Sequence, residues 1–600
     1  MPLRLRYLLT ISLALILAAN TAFAQSVSKE KTNRPNVVIV LADDQGYGDL
    51  ACHGNPIIKT PNLDKLQTQS IRLTDFHVAP MCTPTRGQLM SGCDAMHNGA
   101  TFVNRRCLMR EELPTVANIF QANGYRTGLF GKWHLGDTYP HRPTDRGFDT
   151  VIGHHSWGVT SLADYFGNDY FDDHYLHNNK YQKYKGYCND IWFSEAEKWM
   201  KQCHAKNEPF FCYIPTNVPH GPHWVKEAYT KPYKDQKCPA NFYGMIANFD
   251  ENMGKLEKFL KENGLAENTV FIYMTDNGTA TGEKVFNKGM RGKKCSYYDG
   301  GHRVPCYIQW PDGHLGKPRE IDTLTQMQDI LPTLIDLCHL KISKTTDFDG
   351  TSLVPLLRDQ DDAATKKFSD RMLVVQYGAD PKKYQAAVLW NKWRLVGGKK
   401  HKRFDKAPEL YRVDKDPGQK NNLAADHPEI VKKMRKHYEK WWKEAKPLSD
   451  RPKWITLGAK EENPAMLYAS DWQGDYADNW FNLAPGKANG KWNVRVSQPG
   501  QYKLTLYRWA PEANTALDAS LSYPSPRAKK SGWRKGTAIP IRAAHVQIGD
   551  VDETKKTAKG AASITFDVNF AAGDQILTAE FLDADGKPLC GAYYVQVERL

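Results

Sequence analysis

Cys82-Thr83-Pro84-Thr85-Arg86 places a sulfur just before a helix read as Thr85 to Ser91 and stopped by Gly92. Pro84 brings a preset φ and no amide proton, which suits the start of a helix. Free backbone N–H groups and the helix dipole favour an anion at that end. Two readings of the sulfur are open: a nucleophilic thiolate of lowered pKa, or a buried cysteine that only precedes a helix. Two acidic pairs, Asp43-Asp44 and Asp276-Asn277, offer three carboxylates and an amide oxygen with no His or Cys adjacent in sequence. Hard oxygen donors of this kind suit Ca²⁺ or Mg²⁺ and not zinc. Asn277-Gly278-Thr279 also spells a glycosylation sequon, which a metal ligand at a strand end would keep inaccessible. Lys132 and His134 in Gly131-Lys132-Trp133-His134, His220 and His223, and Lys293-Lys294 add cations and imidazoles. Taken singly, each reads as a surface or core residue. Taken together, they suit a doubly charged tetrahedral oxyanion on a divalent metal.

Positioning such groups requires an edge where several strands end together. Val37 to Ala42 is an unbroken apolar run ending at Asp43-Asp44. A run without alternation suits a strand buried on both faces of a parallel sheet. Further strands are expected at Tyr125 to Phe130, Phe210 to Ile214 and Thr269 to Met274, and helices at Leu113 to Asn123, Asn189 to Lys201 and within Phe242 to Gly264. This alternation predicts an α/β fold with a mainly parallel sheet, whose ligands gather at the carboxyl ends of the strands. Both acidic pairs fall there. The stretch from Arg142 to Tyr187 is rich in His, Tyr, Asp, Asn and Gly and reads as long loops over the site.

The chain divides further. Residues 1–24 read as an export signal: Arg4 and Arg6, an apolar core from Leu8 to Ala19, and a small-x-small site at Ala22-Phe23-Ala24. The alternative, a membrane anchor, has an apolar run short of the ~20 residues a span needs. The expected location is therefore the periplasm or the exterior, with no integral membrane segment after cleavage. Residues 33–365 form the α/β unit. Residues 366–450 read as a small α+β unit, with strands at Met372 to Val375, Tyr384 to Trp390 and Lys392 to Val396 and a helix from Pro428 to Lys443. Lys446 to Lys453 reads as a linker. Residues 454–600 show short, partly alternating strands separated by turns, a β-sandwich pattern. Trp472, Trp480, Trp492 and Trp509 there fit either sugar stacking or a core.

The 600 residues are 41% hydrophobic and 11% aromatic, globular in composition. The net charge is +14, with basic clusters at Lys399 to Arg403 and Lys432 to Lys436. For an exported protein this excludes nucleic acid as a designed partner and favours an anionic polymer such as a sulfated glycan. All twelve cysteines follow the signal, where disulfides are permitted, but no pairing can be read.

The motifs resemble those of the type I sulfatases of the alkaline phosphatase superfamily. The matching pieces are Pro35 to Asp44, Cys82 to Gly87, Gly131 to Gly136, Arg146 to Asp149, Thr275 to Gly278, Met290-Arg291-Gly292 and Gly300 to Pro305, in that order. They span about residues 33–445 and leave the sandwich outside. The resemblance implies that Cys82 is oxidised to formylglycine by a formylglycine-generating enzyme; Thr85 stands where Ser is commoner. It implies that one hydroxyl of the hydrated aldehyde attacks sulfur, the alcohol leaves, and the second hydroxyl expels sulfate. It further implies Ca²⁺ (or Mg²⁺) held by Asp43, Asp44, Cys82, Asp276 and Asn277. Arg86 and Lys132 would hold the hydrate, His134 would serve as base, and His220 and Lys294 would bind sulfate. His223 competes with His220, and Lys293 with Lys294; the spacing to Pro305 in the family pattern favours Lys294. The His77 to Leu89 and Gly131 to Phe148 stretches look most similar to the arylsulfatase and N-acetylgalactosamine-4-sulfatase group, which implies a sulfated galactose-type sugar. His154, His155, Asp164 and Tyr165 are candidates for sugar contact. Two rival readings stay open: a phosphodiesterase or phosphonate monoester hydrolase on the same scaffold, and an inactive glycan-binding relic.

Overall fold

The computed structural model describes residues 34–105, 107–342, 347–359, 362–397 and 403–600. The expected signal at 1–24 and Lys399 to Lys402 of the first basic cluster lie outside the described residues.

Five parallel strands form the centre of a ten-stranded sheet: β1 (Asn36–Ala42), β2 (Arg126–Lys132), β3 (Thr150–His154), β4 (Phe210–Pro215) and β5 (Thr269–Thr275). In space they run β5-β1-β4-β2-β3. Short antiparallel neighbours flank them, Cys306–Gln309 beside β5 and His174–His177 beside β3. β1 lacks alternation because both its faces are covered. Val37, Ile39 and Leu41 pack with Leu89, Phe120 and Leu334. Val38, Val40 and Ala42 pack on the other side with Trp192, Met245 and Phe249. Those contacts come from three helices, α1 (Cys82–Ser91) on the first face and α2 (Cys188–Ala205) and α3 (Ala240–Glu262) on the second, together with the segments Val116–Ala122 and Ile330–Leu337. The result is an α/β fold with a mostly parallel sheet between helical layers.

The pairing register places the site. Ala42 sits opposite Thr275, so Asp43 and Asp276 leave neighbouring strands at one level. Lys132 and His154 are likewise opposite one another at the ends of β2 and β3.

Three expectations need correction. The 142–187 stretch is not only loop; it holds β3 and the strands His174–His177 and Lys180–Lys183, whose polar, exposed edge hid the alternation. The expected linker at Lys446 is helix: Pro428–Ser449 runs through Pro447 and carries Met434 and Tyr438 into a core against a four-stranded antiparallel sheet. That sheet includes Glu409–Arg412, a strand the sequence reading omitted, where only Leu410 and Tyr411 are buried between two charged ends.

The C-terminal residues form two facing sheets. Val494, Val546 and Leu577 of one share a core with Leu504, Phe566 and Val595 of the other. The tryptophans are core: Trp472 and Trp492 are wholly buried, and Trp480 and Trp509 nearly so. Sugar stacking on these four rings is therefore ruled out.

Candidate active site

β1 ends where Asp44 adopts φ 70°, a left-handed conformation rarely taken by a residue with a Cβ. The Asp276 side chain holds that turn, its Oδ1 accepting the Asp44 amide at 3.0 Å. Gly131 lets β2 come close to β4, since a Cβ there would lie 2.1 Å from the Pro215 carbonyl oxygen. Lys132 then reaches Asp43, with Nζ 2.6 Å from Oδ2. α1 starts at Cys82 itself, three residues before the expected start, after an extended Met81. Thr85 Oγ1 donates to the Ala79 carbonyl at 2.9 Å and fixes the approach. Cys82 is thus the first residue of a helix whose N-terminus faces the strand ends.

The side chains expected to act do meet. Arg86 Nη2 lies 3.1 Å from Asp276 Oδ2 and 3.7 Å from Asp43 Oδ2. Its Nη1 donates to the Lys132 carbonyl at 3.2 Å. Lys294 Nζ is 2.5 Å from Asp44 Oδ1, and His220 Nε2 is 3.8 Å from Asp44 Oδ2. His134 Nδ1 is 3.4 Å from Cys82 Sγ. Lys293 pairs instead with Glu283 at 2.9 Å, and His223 packs on Phe242. Of each pair, Lys294 and His220 are thus the members that stand beside Asp44. Asn277 is wholly buried, which puts the sequon out of reach of glycosylation.

Burial dominates the electrostatics. It raises the Cys82 thiol above its ordinary value, despite Lys132 and Lys294 nearby. Of the two readings of the sulfur, the low-pKa thiolate is the one not supported: burial outweighs the cations nearby. Burial, Lys132 and Arg86 keep His134 neutral, far below its ordinary pKa. Burial also takes His220 down to about 4, against the pull of Asp44. Lys294 stays protonated because Asp44 and its neighbours outweigh burial. Burial and Asp43 push Asp276 up to about 8.

These residues fit a divalent cation. Asp43 Oδ1 and Asn277 Oδ1 are buried and accept no hydrogen bond among the described residues. Donor atoms of Asp43, Cys82 and Asp276 lie within 4.8 Å of one another, as do those of Asp43, Asp44 and His220. Buried carboxylates that crowd one another without full pairing are relieved by a cation among them, and oxygen donors choose a hard one. Cys82 Sγ marks where an oxygen would stand if the residue were oxidised.

The four expected sugar contacts are placed differently. The His154 side chain is wholly buried, bonded to Asp164 at 3.0 Å and enclosed by Tyr170, Tyr175 and Trp192. His154 and Asp164 are thus spent on each other, and His154 cannot touch a sugar in this structure. Tyr165 stacks on His174 at 4.1 Å. His155 lies between Tyr181 and Tyr468. Two residues escaped the sequence reading. Trp157 lies with its ring centroid 5.3 Å from that of His220, and its only signal is an aromatic inside the glycine-bounded turn after β3. Tyr476 comes from the loop after the short strand Gln473–Gly474 of the C-terminal region, outside any motif.

Comparison with known proteins agrees with the geometry. The sulfatase family model matches residues 35–340, and the model for the N-sulphoglucosamine sulphohydrolase C-terminal region matches residues 288–444. Both end before the C-terminal sheets. The chain is 30% identical to human arylsulfatase A over 474 residues, covering 71% of this chain and 89% of that protein. It is 26% identical to N-acetylgalactosamine-6-sulfatase of Rattus norvegicus over 348 residues, covering 54% of this chain and 66% of that protein. The crystal structure of Ps i-CgsB in complex with k-i-k-neocarrahexaose superposes with a TM-score of 0.61 at 26% identity, covering 69% of this chain and 94% of that one.

Proposed function

The chain belongs to the sulfatase family and is a sulfuric ester hydrolase, and we propose that it desulfates a saccharide of the sulfated-galactose type. In this reading position 82 is converted to formylglycine during maturation. One Ca²⁺ (or Mg²⁺) is held by Asp43, Asp44, Asp276, Asn277 and the residue at 82. Residues 1–24 direct export. The observation that carries the reading is the set of buried oxygen donors, two of them unpartnered among the described residues, beside Cys82. The neocarrahexaose in the similar structure and the name N-acetylgalactosamine-6-sulfatase support the sugar class.

Hydrated formylglycine supplies a hydroxyl that attacks sulfur and a second through which sulfate is later released. The cation, when bound, polarises oxygens as a Lewis acid. The chain's own groups do the rest. His134, neutral and 3.4 Å from the atom at position 82, accepts a proton there. Lys132 and Arg86 are fixed positive charges for the negative charge that develops. His220 Nδ1 meets the Gly221 carbonyl at 2.7 Å, so in the neutral ring that nitrogen carries the proton and Nε2 does not. Proton delivery to the departing oxygen then falls to Lys294, whose ammonium stands 2.5 Å from Asp44 at the mouth of the same site.

Mass measurement of the peptide containing Cys82 tests this, alongside turnover of an aryl sulfate. The expected peptide carries an aldehyde, –CHO, where cysteine has –CH₂–SH, and Cys82→Ala abolishes turnover. Full activity with an unmodified thiol, or faster hydrolysis of an aryl phosphonate than of an aryl sulfate, overturns the reading.

A further inference from the structure

Beside the charged centre lies a cleft of about 630 Å³, walled by Phe102, Tyr297, Tyr377, Asp380, Lys382 and Gln385. That is the size of a small-molecule site, apolar with a few polar groups. It adjoins the catalytic residues through Cys295, which also lines it and directly follows Lys294. The Cys295 amide donates to Pro80 at 2.8 Å, two residues before Cys82, and its carbonyl accepts from the Tyr377 hydroxyl at 2.7 Å.

Phe102 has a partner from outside the catalytic unit. Tyr476 stands next to the cleft wall, its ring centroid 6.1 Å from that of Phe102 and the two rings inclined at 60° to form an aromatic corner, and it is 42% exposed. The segment that carries it is tightly held. Asn104 Nδ2 donates to the Ser470 carbonyl at 2.9 Å, Gln473 Nε2 donates to the Arg105 carbonyl at 2.9 Å, and Cys107 Sγ donates to Asp471 Oδ1 at 3.1 Å. The Tyr476 hydroxyl itself donates to Asp478 Oδ2 at 2.9 Å. A partly exposed aromatic ring on a segment fixed by hydrogen bonds is preorganised for a ligand and spares the cost of ordering on binding. The ligand chemistry follows from the walls. Aromatic faces accept the C–H face of a pyranose, and the exposed Asp380–Lys382 ion pair adds a polar edge to the cleft.

We propose that Tyr476 and Phe102 form a stacking platform for the sugar residue next to the one that carries the scissile sulfate, so that the C-terminal sheets complete the substrate cleft. The proposal rests on the saccharide reading above and deepens it: the enzyme acts on oligosaccharides in preference to isolated esters.

The test compares kcat/KM for a sulfated galactan tetrasaccharide and a chondroitin sulfate tetrasaccharide with kcat/KM for an aryl sulfate. In Tyr476→Ala and Phe102→Ala the ratio of tetrasaccharide to aryl sulfate falls about tenfold, the size of one lost aromatic contact, with the loss in KM. Tyr476→Phe, which keeps the ring, keeps the ratio. An unchanged ratio in both alanine variants overturns the platform, as does an equal fall on both kinds of substrate. If the wild type cleaves the aryl sulfate but neither cleaves nor binds either tetrasaccharide, the platform falls and the sulfatase assignment stands. If it cleaves no sulfate ester at all, the functional reading itself falls.

Discussion

The strand ends of the central sheet and the interior of the C-terminal sandwich both exclude water, yet they bury opposite kinds of groups. At the strand ends Asp43, Arg86, Lys132, Asp276 and Asn277 are essentially inaccessible, and two carbonyl or carboxylate oxygens there lack any partner among the described residues. In the sandwich the buried tryptophans have satisfied polar atoms, although Arg508 Nε and Tyr593 Oη beside them have no partner among the described residues. The indole N–H of Trp472 donates to Asp475 at 2.8 Å, that of Trp492 to Tyr468 at 2.8 Å and that of Trp509 to Ala519 at 3.2 Å. A buried indole with its donor bonded is a finished core. A buried carboxylate with an idle oxygen is half of an interaction. The first region gathers its idle oxygens among acidic donors within 4.8 Å of one another, which suits a ligand, whereas the bonded indoles of the second serve stability.

Three measurements break or sharpen that contrast. The largest effect is expected from removing divalent cations with a chelator: turnover falls about 10²–10³-fold and returns with Ca²⁺. Undiminished activity after exhaustive chelation would sink the idea that the idle oxygens await a cation. Next comes Trp492→Ala, which leaves a large cavity in the sandwich and destabilises it by about 3–5 kcal/mol in denaturant unfolding, while kcat of the folded protein on an aryl sulfate is retained. A loss of kcat equal to that of a catalytic variant would erase the division of labour.

The smallest effect concerns the seam between the two regions. Burial there raises Glu462 from 4.5 to about 7, against Arg142 at 3.3 Å. A carboxyl whose folded pKa is raised binds more protons folded than unfolded. Its contribution is full below pH 4.5 and is lost as pH climbs through about 7. The thermal midpoint of Glu462→Gln, taken relative to wild type, should thus rise between pH 5 and pH 7 by an amount corresponding to about 1–3 kcal/mol. A difference that stays flat across this window would show the carboxyl to be charged at the seam.

Much of this was legible in the chain. The continuous apolar run before Asp43 betrays a strand covered on both faces, and Thr269 to Met274 does the same before Asp276; parallel sheets collect their ligands at such ends. The legible part stopped where neighbours decide. His154 sits in a polar, histidine-rich stretch that suggests a sugar contact, but Tyr170, Tyr175 and Trp192 close over it. The edge strand Lys180–Lys183 is exposed throughout, so it carries no period-two signal. Pro447 marks a helix end by local rule, yet the helix continues to Ser449 because Tyr438 and its neighbours hold it in a core.

The same boundary separates what each level determined. From the sequence alone come the chemical types: hard oxygen pairs at strand ends, a cysteine at a helix start, and cations and imidazoles within reach of both. These are local facts, set by residue identity and by periodicities of two or 3.6 residues. Tertiary structure decided the charge states and the partners. It raised the Cys82 thiol by burying it, assigned Lys294 rather than Lys293 to Asp44, and brought Tyr476 to Phe102 across 374 positions of chain. Desolvation and long-range contact depend on what else is packed nearby, and no stretch of sequence carries that information by itself.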